Sequence, residues 1–444
     1  MRAARALPAS TDYEEENRPR WGGRASNPVG GAMRFRVGST PILFRPHECP
    51  ADRATRGGRV RQSLVARAAR ANDGVALMDR RDFLGFATGA AVSAAAGTIS
   101  SAVAADAPTP PPTDAPWRSF EVVTDVEIWP QDLPLKLWLP IPQYGDTDYQ
   151  RSVDIRWTGN PAKTGIYRDP RYGAPSFFAQ WEDRASAPKL QVINRITTRN
   201  RSVDFSRAAE PHYAPREELD LYLQSTAHIP LSGIVRDTAS RITPNVSADP
   251  MTRARAIYEW IVENTYRDPK VVGCGTGDIR FMLESGNLGG KCADLNALFV
   301  GLARSVGIPA RDLYGVRVAD SATWKSLGKS GDITRAQHCR AEFYHPRYGW
   351  VPVDPADVRK VILEEEKDRL LPLDDPRVKL ARQTLFGAWE MNWIAFNTAG
   401  DTRLSPETAK PLGHFMYPYA EGAKGSLDYY DPQNFQYRMT AREV

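Results

Sequence analysis

Between Trp117 and about Ser206 the chain alternates apolar and polar positions with period two. Phe120, Val122, Thr124, Val126 and Ile128 interleave with mostly polar residues, and Leu135–Ile141, Val153–Trp157 and Leu190–Thr198 continue the theme. Short alternating runs bounded by Gly, Pro and Asp predict a small β-sandwich over residues 117–218. Nothing in that stretch carries evident chemistry, so it reads as a packing or substrate-orienting module.

After about Leu219 the period lengthens to that of a helix. Asp249-Pro250 opens one, with Pro at the first helical position. Ala254, Ile257, Tyr258 and Ile261 share a face, and Tyr266 to Pro269 closes it. Gly277 to Leu283 predicts a shorter second helix. Gly289-Gly290-Lys291-Cys292 leads into a third, where Leu295, Leu298, Phe299, Leu302 and Val306 keep the period until Gly307 and Pro309 stop it. Cys292 therefore falls at the start of a buried amphipathic helix. Unpaired N–H groups and the positive end of the helix dipole favour a thiolate there.

A strand over Arg311–Val318 follows, then a hairpin. His338 to Tyr344 runs out, His345-Pro346-Arg347 turns, and Tyr348 to Asp354 returns. A turn centred on Pro346 sets Tyr344 opposite Tyr348, Glu342 opposite Trp350, Arg340 opposite Pro352 and His338 opposite Asp354. Directly opposed residues share a face at a Cβ separation of about 4.5–5.5 Å. A thiolate at a helix start, with an imidazole held by a carboxylate, suits acyl transfer: the thiolate attacks a carbonyl, the imidazole protonates the leaving group, and the carboxylate fixes the ring. Cys292, His338 and Asp354 are the candidate catalytic residues. The N–H of Cys292 is one expected oxyanion donor, with Tyr266 or Asn287 as candidates for the second.

The runs Gly289 to Phe299, Arg304 to Arg311, His338 and Gly349 to Pro355, in the order Cys, His, Asp, resemble the transglutaminase-like core, over about residues 250–360. The resemblance implies an α+β, papain-like fold and metal-free thiol acyl chemistry. It makes Cys292 the nucleophile, His338 the general base and acid, and Asp354 the orienter. An aromatic residue often follows closely after that family's His. Here Cys339-Arg340 stands instead, which bears on the substrate wall more than on the triad.

Charge changes the picture mainly at the N-terminus. The chain has 58 basic and 53 acidic residues, net +5. Sixteen of the basic and nine of the acidic residues precede Ala105, which leaves 42 against 44 in the remainder. A near-neutral body gives no support to a nucleic-acid partner. Residues 1–77 hold fourteen Arg and no Lys without any sustained period; they read as a disordered leader or as sequence upstream of a true start at Met78. Residues 78–104 resemble a twin-arginine signal peptide: Arg80-Arg81, an uncharged Ala/Gly/Ser-rich stretch, then Ala102-Val103-Ala104. So much Ala and Gly makes a weak membrane span. Residues 105–116 form a Pro-rich linker. The expected location is periplasmic or secreted, with the twin-arginine export machinery and a peptide or protein substrate of the cell envelope as partners, and no stable membrane span after cleavage.

Cys274, Cys292 and Cys339 remain beyond the leader. A Cys274–Cys339 disulfide is one possibility, two buried thiols the other. Alternation turns Cys339 away from the face of His338. A zinc site using Cys274, Cys292, His338 and Cys339 lacks any CxxC or HxxxH spacing, so neither metal nor cofactor is expected. Residues 219–370 are read as the catalytic core, with a charged helix over 361–370. Residues 371–444, rich in Trp, Tyr and Phe, are read as an extension whose added strands pack on the core; Asn392, Asn397 and His414 carry no assignable role. The function these features predict is a cysteine acyl hydrolase or acyltransferase acting on peptide or amide bonds, such as a protease or amidase. The alternative is a non-catalytic peptide- or envelope-binding module using the same cleft.

Overall fold

A computed structural model describes residues 116–129, 133–142, 147–182, 187–206, 211–431 and 433–444. The leader, the signal-like segment and the linker up to residue 115 lie outside the described residues. Among those described, no helix is long and apolar enough to cross a membrane.

The alternating N-terminal runs do form strands, in two five-stranded sheets. One has the order Gly331–Asp332, Phe435–Glu443, Arg118–Ile128, Lys189–Thr198, Gln150–Gly159. The other runs Gly425–Ser426, Tyr419–Gly422, Leu135–Pro140, Pro175–Trp181, Lys163–Arg168. Their inner faces meet through Val126, Ile128, Leu137, Phe177, Trp181 and Val192, all buried. The sandwich is therefore not made by residues 117–218 alone. Phe435–Glu443 lies beside the first strand from Phe120↔Glu443 to Ile128↔Phe435. The C-terminal segment completes both sheets rather than only covering the core, because an unpaired inner strand would leave a row of backbone N–H and C=O groups without partners.

The core is a mixed α+β layer pair of papain-like type. A four-stranded antiparallel sheet has the order Gly349–Val353, Gln337–His345, Ala310–Arg317, Trp393–Asn397. Against it packs the helix Cys292–Ser305. Leu295, Leu298, Phe299 and Leu302 are fully buried, each contributing about 1.5–3 kcal/mol of apolar transfer. The helix is not amphipathic in its surroundings: Asn296, Arg304 and Ser305 are buried too. Their donors are bonded, Asn296 Nδ2 to the Cys339 carbonyl (2.8 Å), Arg304 Nε to the Ala310 carbonyl (2.7 Å) and Ser305 Oγ to the Leu302 carbonyl (2.8 Å). Helices Pro250–Asn264, Ile279–Ser285 and Pro355–Glu364 surround it. Asp249 caps the first by accepting from the Thr252 N–H at 3.0 Å. The charged helix expected over 361–370 lies earlier, at Pro355–Glu364, because Asp354 caps it and Pro355 starts it.

Candidate active site

Cys292 is the first residue of its helix. The entry is held by Asp294, whose Oδ2 accepts the Lys291 N–H (2.9 Å) while Oδ1 accepts those of Thr276 (3.0 Å) and Gly277 (2.9 Å). One carboxylate thus ties the 274–277 loop to the helix start. The Ala293 N–H adds a bond to the Cys274 carbonyl at 2.9 Å. The two glycines before the helix permit these close approaches: a Cβ at Gly290 would lie 2.6 Å from the Asp294 Cβ, and one at Gly289 2.4 Å from the Tyr266 ring.

The hairpin register differs from the sequence-based one. His345 pairs with Gly349, Tyr344 with Trp350 and Glu342 with Pro352, and the ladder ends at Ala341↔Val353. The turn is centred on Arg347, one residue later than Pro346, so every pair shifts by two residues. His338 and Asp354 are not opposed; the residue one step beyond the ladder from Asp354 is Arg340, whose Nε lies 3.6 Å from Asp354 Oδ2. A shift of two preserves the face, so His338 is still a diagonal neighbour of Asp354. Its Nε2 sits 2.8 Å from Asp354 Oδ2. Past the strand end Asp354 also becomes a helix cap: Oδ1 accepts the Asp357 N–H (3.0 Å) and Asn296 Nδ2 (3.2 Å).

With Nε2 committed to Asp354, the other ring nitrogen of His338 is left free to exchange a proton with Cys292, whose ionisation the imidazole favours. Cys292, His338 and Asp354 are all buried. They adjoin a cavity of about 890 Å³, into which Cys292 and His338 open together with Lys291, Arg317 and Tyr417.

Three further charged groups complete the site. Asp357 Oδ2 lies 3.3 Å from His338 Nε2, and its Oδ1 2.6 Å from Arg317 Nη2. Arg340 packs its guanidinium over Trp393, 4.8 Å from the ring centroid, and donates to the Glu390 carbonyl at 3.0 Å. Two arginines thus face two carboxylates in a buried site, and moving a proton from Cys292 to His338 leaves the net charge unchanged. Burial and Arg317 oppose a charged imidazole, but Asp357 and Asp354 outweigh them and raise the His338 pKa to about 9. Burial opposes the Cys292 thiolate; hydrogen bonds from Cys274, Cys339 and His338 overcome it and hold the thiol well below its ordinary value. Asp354 is raised by burial and by Asp357, whereas Asp357, against its own burial, is held well below the carboxylate range by Arg317 and His338.

Tyr266 and Asn287 do not line this cavity. Tyr266 lies exposed over Gly289, its hydroxyl donating to Asn287 Oδ1 at 2.8 Å. Cys274 and Cys339 are buried free thiols, not a disulfide. Alternation does not separate Cys339 from the site: the sulfurs of Cys274, Cys292 and Cys339 all lie within 4.8 Å of one another. Of the C-terminal residues, Tyr417, Tyr429 and Tyr430 line the cavity, while Trp389, Trp393 and Phe396 are core. Asn392 and Asn397 act structurally, donating to the Leu327 (2.9 Å) and Phe415 (2.7 Å) carbonyls. Asp357 stands three residues after Asp354, a spacing typical of a helix entry and therefore readable as capping alone. Arg317 and Arg340 had no signal beyond an unusual charge within apolar strands.

Residues 236–355 match the profile of the Transglutaminase-like superfamily. An uncharacterized protein of Haemophilus influenzae is 36% identical over 324 residues, covering 69% of this chain and 86% of its own length. Among solved structures, a protein of Cytophaga hutchinsonii provisionally assigned as a cysteine protease aligns over 74% of this chain and 91% of its own, at 14% identity and a TM-score of 0.46. The periplasmic domain of TgpA from Pseudomonas aeruginosa aligns over 61% and 93%, at 15% identity and a TM-score of 0.30. By its motifs, its match and its relative, the chain belongs to the transglutaminase-like superfamily.

Proposed function

We propose that the protein is an exported cysteine acyl hydrolase or acyltransferase acting on peptide or amide bonds. The observation that carries this reading is that His338, held by Asp354 through Nε2, lines the same cavity as Cys292 at its helix start. Export rests on the Arg80-Arg81 segment and its Ala-rich continuation.

In the reaction, the Cys292 thiolate attacks the scissile carbonyl carbon and the C=O pair moves to oxygen. The Cys292 N–H, at the positive end of its helix, donates to that oxyanion. Collapse expels the amine, which takes its proton from the His338 imidazolium. Water or a second amine then attacks the thioester, giving its proton back to His338 and restoring the thiolate. Asp354 keeps the ring oriented throughout.

The cavity lining favours acyl donors that carry carboxylates. Among the described residues Arg267, Lys291, Arg317, Lys329, Arg335 and Lys360 line it without any Asp or Glu; Arg317 pairs with Asp357, and Arg267 and Lys360 with Glu364, so Lys291, Lys329 and Arg335 carry the excess charge. On a near-neutral body this is a local field that attracts anions. The test is labelling of the folded full-length chain with iodoacetamide, followed by peptide capture on Cys292→Ala. Faster modification of Cys292 than of Cys274 or Cys339, and retention of peptides by the variant, are expected; an unreactive Cys292 overturns the reading.

A further inference from the structure

We propose that Cys274, Cys292 and Cys339 together form a binding site for one thiophilic d10 metal ion, zinc(II) or copper(I), which caps the nucleophile reversibly. The three residues come from separate segments: a loop, a helix start and a sheet strand. No spacing in the sequence joins them, and the fold brings their sulfurs within 4.8 Å of one another. A triangle with sides of at most that length places its centre no more than about 2.8 Å from each sulfur. Zinc–thiolate bonds are about 2.3 Å, so an inward movement of about half an ångström completes the site. All three thiols are buried and free.

The surroundings point the same way. The Tyr417 hydroxyl donates to the Cys274 sulfur at 3.2 Å, the kind of outer contact that steadies a metal-bound thiolate. The Met416 thioether lies 3.7 Å from the Cys339 sulfur, a further soft donor on the rim. Thiolate-rich sites of this kind select zinc and copper(I) over hard cations. Binding displaces the thiol protons to solvent and forms metal–sulfur bonds without any change in oxidation state. While the ion is held, the Cys292 lone pairs are engaged and the nucleophile is silent. Only this last consequence depends on the proposed catalytic role; the site itself does not.

The experiment uses the full-length chain, reduced and kept anaerobic. Zinc(II) and copper(I), each alone, are titrated against a chromophoric chelator, and iodoacetamide incorporation is mapped by mass spectrometry. The expected result is one ion per chain for at least one of the two metals. Metal should protect all three cysteines together, and chelation should restore labelling. Cys274→Ser and Cys339→Ser, checked for folding by circular dichroism, should each weaken binding by about tenfold or more. No binding of either metal, protection of Cys292 alone, or binding indifferent to both folded variants overturns the proposal. So does a loss of two hydrogen masses in place of metal uptake, which would mean that the cluster closes a disulfide. Binding without any measurable hydrolysis leaves the site standing and removes the catalytic reading instead.

Discussion

His338 Nε2 lies 2.8 Å from Asp354 Oδ2, although the two residues are not paired in the hairpin that carries them. Asp354 reaches the ring because it has left the strand and become the cap of the next helix. One side chain therefore serves two purposes, and Asp354→Asn separates them. The amide oxygen still accepts the Asp357 N–H, so the cap survives. The charge that orients and stabilises the imidazolium is gone. Turnover of a peptide substrate should fall by about 10⁴-fold with little change in melting temperature. Asp354→Ala should also lose stability, by about 0.5–2 kcal/mol for the cap. Equal turnover in Asp354→Asn and the unmodified protein would remove Asp354 from the mechanism.

In the proposed mechanism the reactive form is a thiolate with an imidazolium. Cys292 ionises well below the usual thiol range, and His338 holds its proton up to about 9. Activity should be flat through neutrality and fall as pH rises through about 9. The same proton bears on stability. A raised folded pKa stabilises fully below the ordinary 6.5 and ceases to do so as pH passes about 9. Asp357→Asn removes a carboxylate from the ring, so the alkaline limb should move to lower pH. A limb that stays in place in that variant would show that Asp357 does not tune His338.

Arg317 is buried with its guanidinium on Asp357 (2.6 Å) and on the Leu327 carbonyl (2.5 Å). Removing one partner of a buried pair leaves an uncompensated charge, at a cost of about 3–5 kcal/mol. Arg317→Met should lower the urea midpoint accordingly, and adding Asp357→Asn should recover part of the loss. A single variant as stable as the parent would mean that Asp357 is already neutral.

Much of this site was legible in the sequence, and the limits were physical. A helix start and its apolar period are local, so Cys292 could be placed. Strand alternation is local as well, and the two-residue error in register kept His338 and Asp354 on one face. What failed depended on distant partners. Asp357, Arg317 and Arg340 are charges within apolar elements, and only the packed structure shows that they neutralise one another. Cys339 looked displaced because alternation describes one strand and not the helix lying across it. Asn287 is near Cys292 in sequence, but the parallel pairing of Tyr266 with Gly289 holds both Tyr266 and Asn287 outside the cavity.

The basic lining can be tested without touching the triad. Lys329 and Arg335 are exposed at the cavity. Lys329→Glu and Arg335→Glu should raise KM for acidic peptides and leave kcat nearly unchanged. The difference should shrink at high salt, where exposed charges are screened over about 3–10 Å. Equal KM values for acidic and neutral peptides in the unmodified protein would exclude a carboxylate preference.

The last strand ties the first strand of the sandwich to the site. Phe435, Met439 and Ala441 are buried, and the strand lies between Arg118–Ile128 and Gly331–Asp332. The Met439 carbonyl also accepts the Ile333 N–H at 2.9 Å, and its sulfur accepts from Gln337 Nε2 at 3.6 Å. That fixes the segment leading into His338. Met439→Ala should cost about 2–5 kcal/mol, read as a lower urea midpoint. A chain ending at Asp431 loses the whole strand and uncovers Phe120, Val122 and Val126. Its lost burial, at about 1.5–3 kcal/mol for each large side chain, is comparable with the net stability of about 5–15 kcal/mol that domains possess. Thermal circular dichroism should show no cooperative transition for the truncated chain. An unchanged melting curve would mean that the strand is an accessory to the sandwich and not part of its core.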